Sequence, residues 1–217
     1  MNILCIDFSY IFSSCIRLYA DRVEDRESPV ISWDMLEKRF GIESVISYDA
    51  TILMKIAKLI KRSIDSNSHC KLYVSDDHKD IVKFVKTFSN EQIDVPPEER
   101  YNPVCITNIS FFDNMNFSYG RGKTGIIRYD NYNEKNWLAY LKLKKFLERA
   151  MWVKSPNSDI FAPSTDLYST IYTSIDEVSE RFDRIYIIRS PLYVPYKYQH
   201  LIDLIVDCLS KDEKEHL

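Results

Sequence analysis

VCITNISFFDNM, residues 104–115, is the stretch on which the fold turns. Val104, Cys105 and Ile106 open an apolar run, and Ser110, Asp113 and Asn114 close it in a polar corner. Such a run reads as a buried strand of a sheet covered on both faces. In an α/β protein the corner outside the carboxyl end of a strand is where ligands bind. The alternate positions here, Ser110, Phe112 and Asn114, carry neither an anionic carboxylate nor an imidazole. The stretch therefore says more about fold than about activity.

Outward from it, three more apolar runs read as strands: residues 2–8, 71–75 and 184–189. Between them lie helix patterns at 10–19, 33–40, 49–64, 80–89, 136–151, 175–182 and 197–209. Helix 49–64 is the clearest: Ile52, Leu53, Ile56, Leu59 and Ile60 form one stripe, and Asp49 is placed to cap it. In the last helix Leu201, Leu204, Ile205 and Leu209 are expected to face inward. Gly41 is expected to stop the second helix. Residues 20–32, 91–103 and 155–164 read as loops, with Pro96, Pro97 and Pro103 blocking regular structure. Residues 116–132 read as a hairpin or an ordered surface loop. Strands alternating with helices predict an α/β fold with a mostly parallel sheet in three α/β/α layers. One domain over residues 1–210 and a polar tail at 211–217 complete the expected organisation.

The chain has 217 residues, 15 Tyr, 11 Phe and only 4 Gly, enough for a sizeable core and unlike a disordered composition. Its net charge of −3 gives no general electrostatic case for nucleic acid or a membrane surface. The odd count of 5 cysteines, at no ligand spacing, argues against a disulfide framework and for buried thiols. Residues 1–8 lack a basic leader and go straight into a strand pattern, and no apolar run approaches the ~20 residues of a membrane span. A cytoplasmic protein without a membrane partner is the expectation.

Polar groups gather after each strand: Asp7 and Ser9, then Asp76, Asp77, His78 and Asp80, then Ser110 to Asn114 with Asp113, then Arg189 and Ser190. A parallel sheet brings these clusters to one edge. Polar strand ends are common in this class, so the convergence points to a pocket without naming its chemistry.

Six pieces, in order, resemble a bacterial and phage family of arginase-like proteins related to the peptide arginases. They are ILCIDFSYIF (residues 3–12), Asp76-Asp77-His78, NISFFDNM (residues 108–115), Asn136-Trp137, the segment 152–158 and SPLYVPYKY (residues 190–198). The family patterns at the first, third and last of these are of the type ILDLDYF, NIDFHHDM and SPEWVPPKY. The resemblance implies an arginase–deacetylase-like fold with a binuclear Mn²⁺ site. Mn²⁺ suits carboxylate, imidazole and water ligands. Two ions about 3.5–4 Å apart would make hydroxide at neutral pH, here to attack a guanidinium carbon. Carried over position by position, Asp7 and His78 keep competent ligands. Ser9, Ser110, Phe112 and Asn114 stand where carboxylate or imidazole is expected.

A second register also fits. Asp76, His78 and Asp80 form Asp-x-His-x-Asp directly after a strand, and with Asp7 they would serve one metal. Set against it, Asp76 or Asp77 caps the following helix and His78 is a partly exposed surface residue. Asn136 and Trp137 read as a helix cap and anchor, with a pocket role open to them and to Asp77, Asp113 and Ser190. Ser190-Pro191 reads most simply as a turn.

Two other features carry less. Gly122-Lys123-Thr124 lacks the earlier glycine of a phosphate loop, since Phe117 stands there. The Tyr-rich run 119–132 reads as aromatic packing rather than base stacking.

The expected function is that of a degenerate arginase-like protein, a pseudoenzyme that binds another protein or peptide and needs no cofactor. The alternative is an active Mn²⁺-dependent hydrolase converting peptidyl arginine to ornithine and urea. A structural component of a phage or bacterial assembly is a third possibility.

Overall fold

A computed structural model describes residues 1–12, 29–41, 46–88, 100–107, 137–155, 168–191 and 193–209. The elements are β1 (Asn2–Asp7), α1 (Pro29–Phe40), α2 (Ala50–Ser66), β2 (Lys71–Ser75), α3 (Lys79–Phe88), β3 (Asn102–Thr107), α4 (Trp137–Leu143), β4 (Met151–Lys154), β5 (Thr170–Tyr172), β6 (Arg184–Ile188) and α5 (His200–Leu209). Short 3-10 turns occupy Phe8–Ile11, Ile175–Glu177 and Tyr196–Tyr198. The six strands form one sheet in the order β2-β6-β1-β3-β4-β5. Every pairing is parallel. The α/β fold is as the alternation of strands and helices predicts.

Strand β1 shows why the sheet sits inside. Ile3 to Ile6 are apolar in succession, and their side chains alternate between two cores. Leu4 and Ile6 join one cluster with Trp33 and Leu36 of α1, Ile56 and Ile60 of α2, and Ile202 and Ile205 of α5. Ile3 and Cys5 join the other, with Ile81 and Val85 of α3 and Trp137 and Leu141 of α4. Cys5 and Cys105 stand opposite each other in the β1–β3 ladder, and both are free and buried.

Local signals set the helices that frame this sheet. Helix α1 begins at Pro29, whose missing N–H costs nothing in a first turn. It therefore starts before Trp33, inside the stretch that reads as loop from sequence. Gly41 ends it at φ 61°, its N–H donating to the Glu37 carbonyl at 2.9 Å. In α2, Asp49 accepts the N–H groups of Thr51 and Ile52 at 2.7 and 3.1 Å. Asp49→Ala should cost about 1 kcal/mol of stability, measured by urea unfolding. A change of under a few tenths would show that α2 is held by packing alone.

The structure corrects several readings. Residues 8–11 form a 3-10 turn and Phe12 an isolated bridge, where the sequence pattern predicts the helix of 10–19 to begin; residues 13–19 of that pattern lie outside the described residues. Helix α4 stops at Leu143, and Lys145 adopts φ 60°; Met151 then opens β4. Met151, Trp152 and Val153 pair with both β3 and β5, so ladder bonds override the helical pattern of residues 136–151. The 175–182 helix is reduced to one 3-10 turn, and Val178 and Phe182 anchor the extended chain beyond it in the core. Pro103 lies inside β3, opposite Ile3. It is tolerated because its missing N–H falls in the gap between the parallel bridge of Tyr101 to Leu147 and the β3–β4 pairing that starts at Val104. In α5 Leu204 is 54% exposed, while Leu201, Ile202 and Ile205 face the core. No described helix is long and apolar enough to cross a membrane.

Candidate functional site

The chain leaves β1 toward β2 on one side and leaves β3 toward β4 on the other. The crevice between the carboxyl ends of β1 and β3 is thus a topological switch point, where open α/β sheets bind ligands. Seven polar or charged side chains are buried among the described residues, and six of them cluster at this edge: Asp7, Ser9, His78, Thr107, Ser155 and Ser190.

Asp7 is the hub. As the last residue of β1 it has extended backbone angles, and its carboxylate caps the 3-10 turn by accepting the Ser9 N–H at 2.9 Å. The same Oδ1 accepts the Ser190 hydroxyl at 2.9 Å. Oδ2 accepts a longer bond from the Thr107 hydroxyl at 3.4 Å and lies 3.6 Å from His78 Nε2. Ser190 follows β6 at φ 48°, in the left-handed region that costs a non-glycine residue energy. Its carbonyl accepts the N–H groups of Tyr193 and Val194, which holds the turn in that shape. Trp152 Nε1 donates to the Thr107 carbonyl at 3.1 Å and fixes the end of β3. Tyr10 donates its hydroxyl to the Lys154 carbonyl at 3.2 Å, and burial pushes its phenol up.

His78 is buried, which corrects the expectation of a partly exposed surface residue. Its ring stacks on Trp137 with centroids 6.0 Å apart and 20° between planes. Burial pushes its imidazole below the ordinary 6.5, against the opposing pull of Asp7 and Asp77. A histidine lowered in this way binds fewer protons folded than unfolded. Its contribution is therefore complete above about pH 6.5 and is lost as pH falls toward the folded value. Urea unfolding midpoints should decline between about pH 7.5 and 5, and His78→Gln should flatten that decline. An unchanged slope in the variant would place the effect elsewhere.

The other predicted residues are placed as follows. Asp76 is exposed and lies 3.4 Å from Arg189 Nη1. Asp77 caps α3 through the Lys79 N–H at 2.8 Å and pairs with the Lys79 ammonium. Asp80 pairs with Lys83 one turn on. Of the four residues in the second metal register, only Asp7 and His78 approach each other; among the described residues no three His, Cys, Asp or Glu side chains gather around a common point. Trp137 is fully buried and anchors α4 beneath His78. Ser110, Phe112, Asp113, Asn114, Asn136, the 116–132 loop and the 211–217 tail lie outside the described residues. Thr107 and Ser155 did not stand out in the sequence because they bear no charge. Yet Thr107 ends VCIT as Asp7 ends LCID, the first polar residue after a buried run.

Beside this network a cleft of about 410 Å³ opens between the end of β6 and the start of α5. Arg189 and Pro191, the neighbours of Ser190, form part of its wall. The sheet edge thus has an inner, buried layer centred on Asp7 and an outer layer open to solvent. No protein family, curated protein or solved structure matches this chain.

Proposed function

We propose that the protein is a non-catalytic binding or scaffold protein of arginase-like ancestry, taking another protein or a peptide at the carboxyl edge of its sheet. The observation that carries this reading is the state of Asp7. A metal-binding carboxylate presents its lone pairs to the ion. This one holds the Ser9 N–H and the Ser190 hydroxyl on Oδ1 and the Thr107 hydroxyl on Oδ2. Asp76 and Asp80 are committed to Arg189 and Lys83. Ser9, Ser110, Phe112 and Asn114 bring no charge to a position where two Mn²⁺ ions would need it. The residues present do not fit a binuclear site.

A second reading has one observation in its favour: the 3.6 Å approach of His78 Nε2 to Asp7 Oδ2 at a sheet edge. On that reading the protein is a metal-dependent hydrolase of peptidyl arginine. Elemental analysis and thermal unfolding with and without Mn²⁺ distinguish the two. The binding-protein reading expects no stoichiometric metal and an unchanged midpoint. One or two equivalents of Mn²⁺ with a raised midpoint, and urea released from an arginine peptide by the wild type but not by Asp7→Ala, would overturn it.

A further inference from the structure

Strand β2 forms one flank of the sheet, and among the described residues no strand lies beyond it. The hydrogen bonds at its ends fix which way each residue faces. The Lys71 N–H donates to the Asp183 carbonyl at 3.2 Å, and the Ser75 carbonyl accepts the Arg189 N–H at 2.8 Å. Both bonds run to the β6 side. In a parallel ladder the N–H and C=O of one residue point to the same side, and that side alternates along the strand. Lys71, Tyr73 and Ser75 therefore serve β6, while Leu72 and Val74 turn their N–H and C=O groups outward. Those outward groups have no hydrogen-bond partner among the described residues.

Sheets ordinarily blunt such a flank with a central lysine, a proline, a bulge or a very short strand. The opposite flank is blunted in the last way, since β5 has only 3 residues. Strand β2 has 5, in unbroken register with β6, and its middle is the half-buried Leu72-Tyr73-Val74. Its charges stand only at the ends. Exposed Lys71 opens the strand, and Asp76, its side chain 67% exposed, follows Ser75 with Asp77 behind it. A strand of this kind is complementary to a copy of itself running the other way.

We propose that two copies of this chain join through β2, antiparallel about a two-fold axis at Tyr73. In that register Leu72 of each copy faces Val74 of the other, and each pair exchanges both of its N–H···O bonds. Tyr73 faces Tyr73 across the axis in a non-hydrogen-bonded pair, where side chains lie closest and aromatic pairs contribute. Lys71 comes opposite Ser75, with the other copy's Asp76 and Asp77 just beyond. A parallel approach would set lysine against lysine. The contact is isologous, so it closes at two copies. Strand β6 stands between β2 and the strand that carries Asp7, so this pairing does not rest on the binding-protein reading above.

Sedimentation velocity of the full chain over a wide concentration range, with hydrogen exchange of the Leu72 and Val74 amides at both ends of that range, tests it. A monomer–dimer equilibrium is expected, with both amides slowing as the dimer forms. Val74→Pro removes an N–H that β6 does not use, which a flanking strand tolerates. It should weaken dimerisation about tenfold or more, because bonds are lost on both sides of the axis. Lys71→Glu, at an exposed position, sets a carboxylate against Asp76 and Asp77 and should weaken it about two- to fivefold. Urea unfolding of the dilute variants checks that each is folded; if Val74→Pro is not, Lys71→Glu and the amides decide. A monomer at every concentration overturns the proposal. So does a dimer in which the Leu72 and Val74 amides exchange as fast as in the monomer, which would place the contact elsewhere. Amides protected equally at all concentrations, meaning that another segment of the chain covers the flank, overturn it too, as does full dimerisation in the folded variants. The Mn²⁺ experiment reads a different part of the sheet, so either proposal can fail without the other.

Discussion

Trp152→Ala is expected to lower the unfolding free energy by about 3–5 kcal/mol, the range for truncating a large buried aromatic. Trp152 is fully buried in the middle of β4, between Cys105 of β3 and Ile171 of β5. Its ring stacks on Tyr168 at 5.7 Å. Truncation leaves a cavity that the paired backbones on both sides cannot close. It also strips the Thr107 carbonyl of its indole donor, beside the carboxylate of Asp7. Since small domains hold only about 5–15 kcal/mol in total, the variant should stand near the limit of folding. Urea unfolding should show a much lower midpoint at an unchanged slope. Trp152→Phe, which keeps a smaller aromatic ring but not the N–H, should lose distinctly less. A loss below about 1 kcal/mol for the alanine variant would mean that the sheet relaxes around β4.

Asp7→Ala is expected to cost about 2–4 kcal/mol, because donors that it satisfies are left buried without an acceptor. The Ser9 N–H and the Ser190 hydroxyl lose their common partner, and Thr107 loses a weaker one. Ser190 matters most, since its left-handed backbone is held partly through that bond. Asp7→Asn keeps one acceptor oxygen and should lose less. Hydrogen exchange at the Ser9 amide, compared with the urea midpoint, reports the loss locally and globally. The opposite result would be as informative. If Asp7→Ala stabilises the protein, the buried carboxylate is a burden on the fold and is retained for a ligand. That outcome would favour the hydrolase over the scaffold.

The sequence carried the fold further than it carried the site. Strands β1, β2, β3 and β6 are legible because each is an apolar run bounded by polar residues, and α2 because its stripe and cap agree. Strands β4 and β5 are not. MWVK follows a helical pattern without a break, and TIY is only three residues long. Such short strands are made by their neighbours in the sheet, and no local signal marks them. The convergence of strand ends was legible in outline, since parallel strands share an edge. Which side chains meet there was not. Asp7 and Ser190 are 183 residues apart, and their contact follows from β6 sitting beside β1. Charge drew attention to Asp76 and Asp80, which turned out to pair with cations at the surface. Burial, which decides the inner layer, is invisible in a list of charges.

Strand β6 enters the sheet last in sequence and sits between β2 and β1. During synthesis β1 can pair with β3, and β3 with β4, as the chain emerges. Among the described residues β2 pairs only with β6, so it joins this sheet once residues 184–188 are made. Closing Ile3 onto Arg184 spans nearly the whole chain, a contact of high order that favours slow folding. Until then both β1 and β2 offer an unpaired edge, the kind of surface that draws in other chains. Assembly of this sheet is therefore a matter of insertion, with its central seam sealed only when the final strand arrives.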